Sequence, residues 1–340
     1  NAMNHIKTLA ACAALLLPTW ALGQIEQGGT PLHWGASKRQ WNPKPWVTRW
    51  LRLLSQFFLL PDNKKAWTVH GLKKAQEIIQ KHEIKAIYAT APPYSNLMLA
   101  SELKKRYALP LIMDFRDDWY ESHLIRYPSF LHRYRMKKLE RKTLKNADTI
   151  IAINEPIKKA IQERHPYVLT YRVQPHGFDP EDFVSEPLSK KQSKSLIFLY
   201  SGTFYDQSGP ETFLRAIRCY LDKNEDWEHR IELHFQGSTQ DDFQALISNL
   251  SLEEYCHFHG YVNHKDAVSA MQFADVLWLN NDHKHRVHTI TLSKTYEYMA
   301  TTKPILALIP KGDTMNLLQK YQKSFIARPD SVDDVTATIT

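Results

Sequence analysis

The sequence predicts an α/β protein built from two open parallel sheets, one in each half of the chain. Short apolar runs alternate with amphipathic segments of helical spacing, and this alternation stops and then restarts near the middle. Strands that alternate with helices in this way are typical of βαβ units and a parallel sheet. The length of 340 residues also suits two domains better than one.

The first half opens with a predicted helix over 67–83, whose apolar residues recur at helical spacing. The alternation then predicts, in chain order, a strand over 84–90, a helix over 97–108, a strand over 109–113, a basic helix over 128–146 and a strand over 148–153.

A polar segment over 183–195 interrupts this pattern, so we expect a first domain over 1–182 and a second over 183–340. The restart predicts strands over 196–200, 231–235, 258–262, 276–279 and 304–309, separated by helices over 211–221, 241–250, 265–273 and 294–300.

The composition narrows the class of protein. Hydrophobic residues make up 43% of the chain, which fits a globular protein. The net charge of +8 favours anionic partners without choosing among them, but no nucleic-acid-binding motif is present, so nucleic acid is not expected. The 3 cysteines show no paired spacing, which favours a reducing compartment. No apolar run reaches the ~20 residues of a membrane-spanning helix.

Two segments bear on localisation. Residues 3–23 resemble a secretory signal, but an apolar core helix is the favoured interpretation, with the protein in the cytoplasm. Residues 45–60 mix Trp, Phe and Leu with arginine, and 128–146 is strongly basic. Both segments suit peripheral contact with the inner membrane, although a buried helix and a solvated charged face explain them too.

Residues that follow strands are the candidates for chemistry, because parallel sheets bind ligands beyond the carboxyl ends of their strands. Gly202 and Thr203 follow one strand. Ser293 is the predicted N-cap of a helix that carries Lys294 and Glu297. A helix start beside a lysine can bind a diphosphate, and a glutamate one turn later can bind ribose hydroxyls. An ordinary capped helix with an exposed Lys–Glu face is the equal alternative.

In the first half, Asp114 ends a strand, and Arg116 and Asp117 follow it. The two carboxylates can serve acid–base chemistry in a cleft, which is the favoured interpretation. Asp117 can instead pair with Arg116 or cap the next helix. His283, His285 and His288 lack the spacing of a metal site, so no metal is expected.

Several segments in order resemble the family 4 glycosyltransferases of the GT-B fold, over about residues 61–330. The donor-binding segment of that family resembles Asp275-Val-Leu-Trp-Leu, Leu292-Ser-Lys-Thr-Tyr-Glu-Tyr-Met-Ala and Thr302-Lys-Pro-Ile-Leu-Ala. Further similar segments are the glycine turn at 200–205, the segment at 260–271 in which Gly260-Tyr-Val is followed by a helix, and the hinge His176-Gly-Phe-Asp. Two signatures of one subgroup are also similar, Ala91-Pro-Pro-Tyr-Ser ("PPyS") and Asp114-Phe-Arg-Asp-Asp-Trp ("DFRDpW").

The resemblance implies two Rossmann-like domains facing a cleft and a retaining transfer from a nucleotide-diphosphate sugar, without a cofactor or a required metal. It implies that Gly202, Thr203, Ser293 and Lys294 bind the phosphates and that Glu297 binds the ribose. It places Asp114, Arg116 and Asp117 at the catalytic side, and Tyr94 and Ser95 beside the acceptor, a glycan or a lipid-linked molecule of surface polysaccharide synthesis.

The chain also departs from the family pattern. Thr289 stands where a second glutamate is common, so we count it among the donor-binding positions. Phe204, Gln207 and Ser208 stand where the family carries Arg and Lys, and the second domain is expected to lack its final helices. His283, His285, Arg286 and His288 are candidates for the missing positive charge. A sugar-nucleotide-binding scaffold without turnover is therefore the alternative to a hexosyltransferase.

Overall fold

The structure is a computed structural model that describes residues 60–122, 125, 127–183, 195–204, 209–224, 231–237, 241–281 and 289–340. Two parallel sheets follow each other along the chain, with four and six strands. The predicted α/β fold with two open parallel-sheet domains is confirmed. The segments 3–23 and 45–59 lie outside the described residues. Every helix among the described residues is too short or too polar to cross a bilayer.

The first sheet has the strand order β1-β2-β3-β4, which is the order along the chain. Its elements are α1 (Trp67–Lys81), β1 (Ile87–Ala91), α2 (Ser95–Tyr107), β2 (Leu111–Phe115), α3 (Phe130–Leu144), β3 (Thr149–Ala152), α4 (Glu155–Arg164) and β4 (Thr170–Val173). A short 3-10 helix, Pro180–Phe183, follows.

The second sheet has the order β10-β9-β8-β5-β6-β7. Its elements are β5 (Leu196–Ser201), α5 (Glu211–Lys223), β6 (Ile231–Gln236), α6 (Asp241–Asn249), β7 (Cys256–Gly260), α7 (His264–Phe273), β8 (Val276–Asn280), α8 (Lys294–Ala300), β9 (Ile305–Leu308), α9 (Asp313–Leu318), β10 (Ser324–Ala327) and α10 (Val332–Ile339).

The order of the second sheet reverses between β5 and β8, because the chain builds outward to β7 and then returns to the other side of β5. Such a switch point opens a crevice at the carboxyl ends of the two strands. Here β5 and β8 pair only at Phe198 with Val276 and at Leu199 with Leu277, near the start of β8. The paired stretch ends before either strand does, which leaves the carboxyl edge open at this point.

Stacked aromatic side chains form part of the core of the second domain. The indole of Trp278 stacks on Phe213, with ring centroids 3.9 Å apart. Tyr200 stacks on Phe204 at 4.0 Å and contacts the same indole at 5.0 Å. Phe204, which stands where the resemblance leads us to expect a positive charge, is therefore a core residue.

Some sequence-based expectations are wrong in detail. The strand expected over 258–262 lies two residues earlier, at Cys256–Gly260. The sequence pattern also missed five elements that are short or lie beside the predicted linker and the end of the second domain: α4, β4, α9, β10 and α10. Helix α10 packs on α5, where the Thr336 hydroxyl donates to the Ala216 carbonyl at 3.5 Å.

Candidate active site

The crevice at the switch point is bordered by Gly202, directly after β5. Its φ of +144° lies in a region that side chains strongly disfavour. The Gly202 N–H donates to the Gln236 carbonyl at 2.7 Å. Gly237, at the end of β6, has a φ of +117°, and a Cβ there would stand 2.2 Å from the Gly202 carbonyl oxygen. Two glycines therefore allow the ends of β5 and β6 to approach each other closely.

Helix α8 is fixed over this glycine turn by its buried face. The Tyr298 hydroxyl accepts a hydrogen bond from the Ser201 N–H at 3.1 Å. Thr295 and Tyr298 are fully buried. Lys294 and Glu297, which are also three residues apart, are only partly buried and share a neighbouring face of the helix. Burial of one face thus directs the other toward the crevice.

The ammonium group of Lys294 lies against the glycine turn. A Cβ on Gly202 would stand 1.6 Å from Lys294 Nζ, so the lysine occupies the space that the glycine leaves. Nζ lies 4.7 Å from the centroid of the Tyr200 ring. Burial lowers the pKa of Lys294 to about 8, and Glu297 acts in the opposite direction. No carboxylate of the described residues forms an ion pair with it. This is a cation that the protein desolvates without neutralising.

The neighbours of Lys294 partly agree with the sequence prediction. Ser293 directly precedes α8, but its backbone is already helical and its side chain forms no capping bond. The predicted cap is therefore wrong, and the hydroxyl stays exposed. Glu297 lies in the first turn of α8, with its side chain partly buried. Thr203 follows Gly202, and its carbonyl accepts from the Tyr200 hydroxyl at 3.4 Å.

In the first domain, Asp114 lies at the carboxyl end of β2 and is 1% exposed. Its Oδ2 accepts from the Tyr88 hydroxyl at 2.7 Å and pairs with Arg116 Nε at 3.1 Å. Its Oδ1 is buried without a hydrogen-bond partner among the described residues. Asp114 and Arg116 thus form one cluster, in which Asp114 Oδ1 is free to accept a hydrogen bond.

Asp117 does not pair with Arg116, which is engaged by Asp114. Burial, followed by the charge of neighbouring Asp118, raises the pKa of Asp117 to about 6. Asp118 differs from it in being paired, because its Oδ1 lies 2.6 Å from Arg164 Nη2 inside the domain. Of the two adjacent aspartates, Asp117 is the one that forms no ion pair with another of the described residues.

Tyr94 and Ser95 do not line a surface, which corrects the expectation of an acceptor-side role for their side chains. Tyr94 stacks on Trp119 with ring centroids 5.3 Å apart, and its hydroxyl donates to the Asp118 carbonyl at 2.8 Å. Ser95 is fully buried, and its N–H donates to Asp62 Oδ2 at 2.8 Å. Both residues support the loop from Asp114 to Trp119 from inside.

Among the described residues, Asn154 and His176 connect the carboxyl edges of the two sheets, and sequence reasoning missed Asn154. Asn154 follows β3, and its Nδ2 donates to the Thr289 carbonyl and to Thr291 Oγ1, both at 2.8 Å. The ring of His176 lies edge-on to Tyr296 of α8, with centroids 6.3 Å apart. Burial, then Arg116, lowers the pKa of His176. The expectation that functional residues follow strands would have identified Asn154 if it had been applied to the residues after β3.

Thr289 thus lies at the contact between the domains, through its backbone carbonyl. The four candidates for a compensating positive charge, at 283, 285, 286 and 288, lie outside the described residues, as do Gln207 and Ser208. Among the described residues, the site therefore brings together Gly202, Lys294 and Glu297 in the second domain. It brings together Asp114 and Arg116 in the first, with Asp117 adjacent in the chain.

Comparisons with known proteins agree with this geometry. Residues 29–182 match the family model "Glycosyltransferase Family 4", and residues 185–340 match "Glycosyl transferases group 1". Comparison with curated protein sequences gave no significant match.

Solved structures with a similar fold include sucrose-phosphate synthase from Thermosynechococcus elongatus, at 15% identity and a TM-score of 0.60, covering 83% of this chain and 70% of that one. The Anabaena protein HepE, in complex with UDP and glucose, has 16% identity and a TM-score of 0.59, covering 80% and 70%. Trehalose 6-phosphate synthase from Burkholderia multivorans has 10% identity and a TM-score of 0.60, covering 86% and 72%. At these identities the likeness shows the fold.

Proposed function

Because the chain is a glycosyltransferase of the GT-B fold, matched in one half by family 4 and in the other by group 1, we propose that it transfers a sugar from a nucleotide diphosphate to a glycan or lipid-linked acceptor. We propose further that the transfer is a retaining hexosyl transfer in bacterial surface polysaccharide or lipopolysaccharide synthesis. The nucleotide sugar is the substrate, and no separate cofactor takes part.

The observation that carries this proposal is Lys294. Its ammonium is desolvated at the switch-point crevice, beside a glycine turn that keeps the backbone open, and no carboxylate of the described residues neutralises it. Desolvating an unpaired charge is unfavourable, so such a group persists where a ligand supplies the opposite charge. A diphosphate has the charge that this site requires. The backbone of Gly202 and Thr203 can approach it closely.

The remaining donor contacts follow from the helix. Glu297 lies one turn after Lys294, so its carboxylate can accept hydrogen bonds from ribose hydroxyls while Lys294 binds phosphate. The exposed hydroxyl of Ser293 is placed to donate to a phosphate oxygen at the same end of α8. We assign the transferred sugar to the space beside Thr289, whose backbone carbonyl accepts a hydrogen bond from Asn154.

The proposed reaction breaks the bond between the anomeric carbon and the diphosphate oxygen and forms a bond from that carbon to an acceptor hydroxyl. The electron pair of the broken bond leaves with the nucleoside diphosphate, where Lys294 stabilises the developing charge. Preorganised charge in a desolvated site is effective for this purpose. The acceptor proton passes to the diphosphate or to a base, for which Asp117, with a pKa of about 6, is suited. Asp114 and Arg116 position the acceptor and the sugar.

The proposed place of action is the cytoplasmic face of the inner membrane. The first five residues of α3 include Phe130, Leu131 and Tyr134, which are 79%, 57% and 63% exposed, and the helix continues with many basic residues. Aromatic and apolar side chains beside a basic face are typical of interfacial helices. Flotation with anionic liposomes at low salt tests this part, and Phe130→Ser with Leu131→Ser should abolish it. No flotation of the parent protein would contradict it.

A thermal-shift screen of nucleotide sugars tests the donor assignment. A nucleotide sugar at 100 times its dissociation constant should stabilise the protein by about 2.7 kcal/mol, and Lys294→Ala should reduce that shift. A variant of exposed Lys311, Lys311→Ala, is the matched control. Equal shifts for both variants would place the donor elsewhere.

The second candidate, a scaffold that binds sugar nucleotides without turnover, is motivated by Thr289 and by Phe204 at a position where the family carries a cation. Release of nucleoside diphosphate in the presence of acceptor extracts separates the two. Binding without any release favours the scaffold.

A further inference from the structure

A cluster of imidazoles and one carboxylate lies on the edge of the second sheet, away from the α8 residues. We call Glu232, His234, His257 and His259 the edge cluster. Glu232 and His234 lie on β6, while His257 and His259 lie on β7, the last strand of the sheet. Neither the fold nor the proposed transfer requires histidines here.

Strand geometry brings these side chains to one face. Residues two apart in a strand point to the same side, and His234 is the register partner of His257. The His234 ring lies 4.8 Å from that of His257 and 5.0 Å from that of His259, between centroids. All four side chains therefore meet on a single, partly exposed face.

The separations approach those of metal ligands. One ligand atom each from Glu232, His234 and His257 lie within 4.8 Å of one another. His234 Nε2 and Glu232 Oε2 are 3.2 Å apart. Ligands that bind Zn²⁺ at 2.0–2.1 Å in a tetrahedron stand roughly 3.3 Å apart, so this pair already has the required spacing. His257, which is half-buried, joins them by a side-chain rotation.

We propose that the edge cluster binds one divalent transition-metal ion, of the Zn²⁺ type, through Glu232, His234 and His257. Two imidazoles and one carboxylate favour Zn²⁺, Ni²⁺ or Co²⁺ over Mg²⁺ and Ca²⁺, which prefer oxygen ligands. The ion connects β7 to β6, so its role is to fasten the edge of the sheet.

His259 acts in this site as a positioning residue. Its Nε2 lies 3.0 Å from His234 Nδ1, the nitrogen opposite the one that faces Glu232. A metal-ligating histidine commonly uses its second nitrogen for a hydrogen bond that fixes its orientation. With the metal on Nε2 of His234, its Nδ1–H donates to His259.

Calorimetric titration of the metal-free, tag-free protein with ZnCl₂, together with the visible spectrum of Co²⁺ added in its place, tests the proposal. We expect one ion per chain, a tetrahedral Co²⁺ spectrum and a higher unfolding temperature with Zn²⁺. His259→Ala should weaken Zn²⁺ binding by about 10- to 100-fold, the typical effect of removing such a partner. His257→Ala and Glu232→Gln should weaken it further, since each removes a ligand.

His70→Ala, which removes an exposed histidine of α1, is the control and should bind like the parent. Glu232→Gln keeps the size of the side chain, so it remains informative if an alanine variant does not fold. Full Zn²⁺ affinity in His257→Ala and Glu232→Gln would place the ion on other histidines, such as those at 283–288, and overturn the proposal. Absence of Zn²⁺ binding to the parent overturns it as well. Neither result bears on the donor site, which is tested with nucleotide sugars.

Discussion

Arg164 and Lys294 are both largely withdrawn from water, one in each domain, and the protein treats the two cations differently. Arg164 Nη2 lies 2.6 Å from Asp118 and 3.1 Å from Glu140, and its side chain is 14% exposed. Lys294 contacts the Tyr200 ring and no carboxylate of the described residues. Desolvation lowers the pKa of both groups; in Arg164 its acidic partners more than offset it, whereas in Lys294 Glu297 does not.

The difference separates a structural charge, on Arg164, from the charge on Lys294 that we propose to be functional. Glu140 Oε1 also lies 2.9 Å from His165 Nε2, so Arg164 belongs to an ion-pair network inside the domain, in which only Glu140 Oε2 is buried without a hydrogen-bond partner among the described residues. A network of this kind serves folding, and removing one member leaves charges buried without partners. Lys294 has no such network among the described residues, so removing it should cost the fold little and cost ligand binding much.

The largest expected effect is on stability. Arg164→Met should lower the free energy of unfolding by about 3–5 kcal/mol, because Asp118 and Glu140 stay buried without their cation. Lys294→Met should leave the free energy of unfolding unchanged or raise it, since it removes a desolvated charge that has no ionic partner among the described residues. Urea unfolding of both variants measures the contrast. A loss of about 3 kcal/mol or more in Lys294→Met would show an unrecognised structural role for this lysine.

The next effect is on catalysis. Lys294→Met should slow transfer by about 10²–10³-fold in kcat, or about 2.7–4 kcal/mol, the cost of removing one preorganised partner of a developing negative charge. Steady-state release of nucleoside diphosphate measures it, with Lys311→Met as the control on an exposed lysine. Equal rates in the two variants would remove Lys294 from the mechanism.

The sequence was sufficient to bring the proposed donor-side residues together, because their positions depend on local structure. Gly202 follows a strand, and Lys294 and Glu297 lie one turn apart on a helix, so strand ends and helical spacing place them. What the sequence could not show is that Lys294 lacks an ionic partner among the described residues, since this depends on packing between α8 and β5. Gly237 was missed for a similar reason: its role is a close approach to Gly202, which no local pattern reveals.

The first domain shows where local reasoning fails. Asp117 and Asp118 are adjacent and chemically identical, and only the position of Arg164, 46 residues after Asp118, decides which of them is paired. The family resemblance placed Tyr94 and Ser95 beside the acceptor, yet both are buried under the loop from Asp114 to Trp119. Long-range packing decided each of these positions.

A smaller effect distinguishes Glu297 from the paired carboxylates. Glu297→Gln should weaken nucleotide binding by about 1–3 kcal/mol, the typical value of a hydrogen bond to a charged group, because the amide keeps the shape but loses the charge. Calorimetric titration with the nucleotide that gives the largest thermal shift measures this. Asp266→Asn, at an exposed carboxylate of α7, is the control. Unchanged affinity in Glu297→Gln would exclude a ribose contact.

The smallest effect concerns pH. The pKa of Lys294 is lowered to about 8, so the free protein loses this charge as the pH rises through that value. The affinity for a nucleotide sugar should then fall by roughly tenfold between pH 7 and pH 9, because about one tenth of the lysine stays charged one unit above its pKa. Titrations at both pH values measure it, and Lys294→Met should show no such dependence.

The same group should affect stability with the opposite sign, and this makes the pH prediction specific to Lys294. In the unfolded chain the lysine keeps its ordinary pKa of 10.5, so between about 8 and 10.5 the unfolded state holds more protons. Stability therefore rises with pH over this interval, as the cost of desolvating the charge disappears. The parent protein should gain stability relative to Lys294→Met while it loses nucleotide affinity. If both quantities fell together above pH 8, a different group would be titrating.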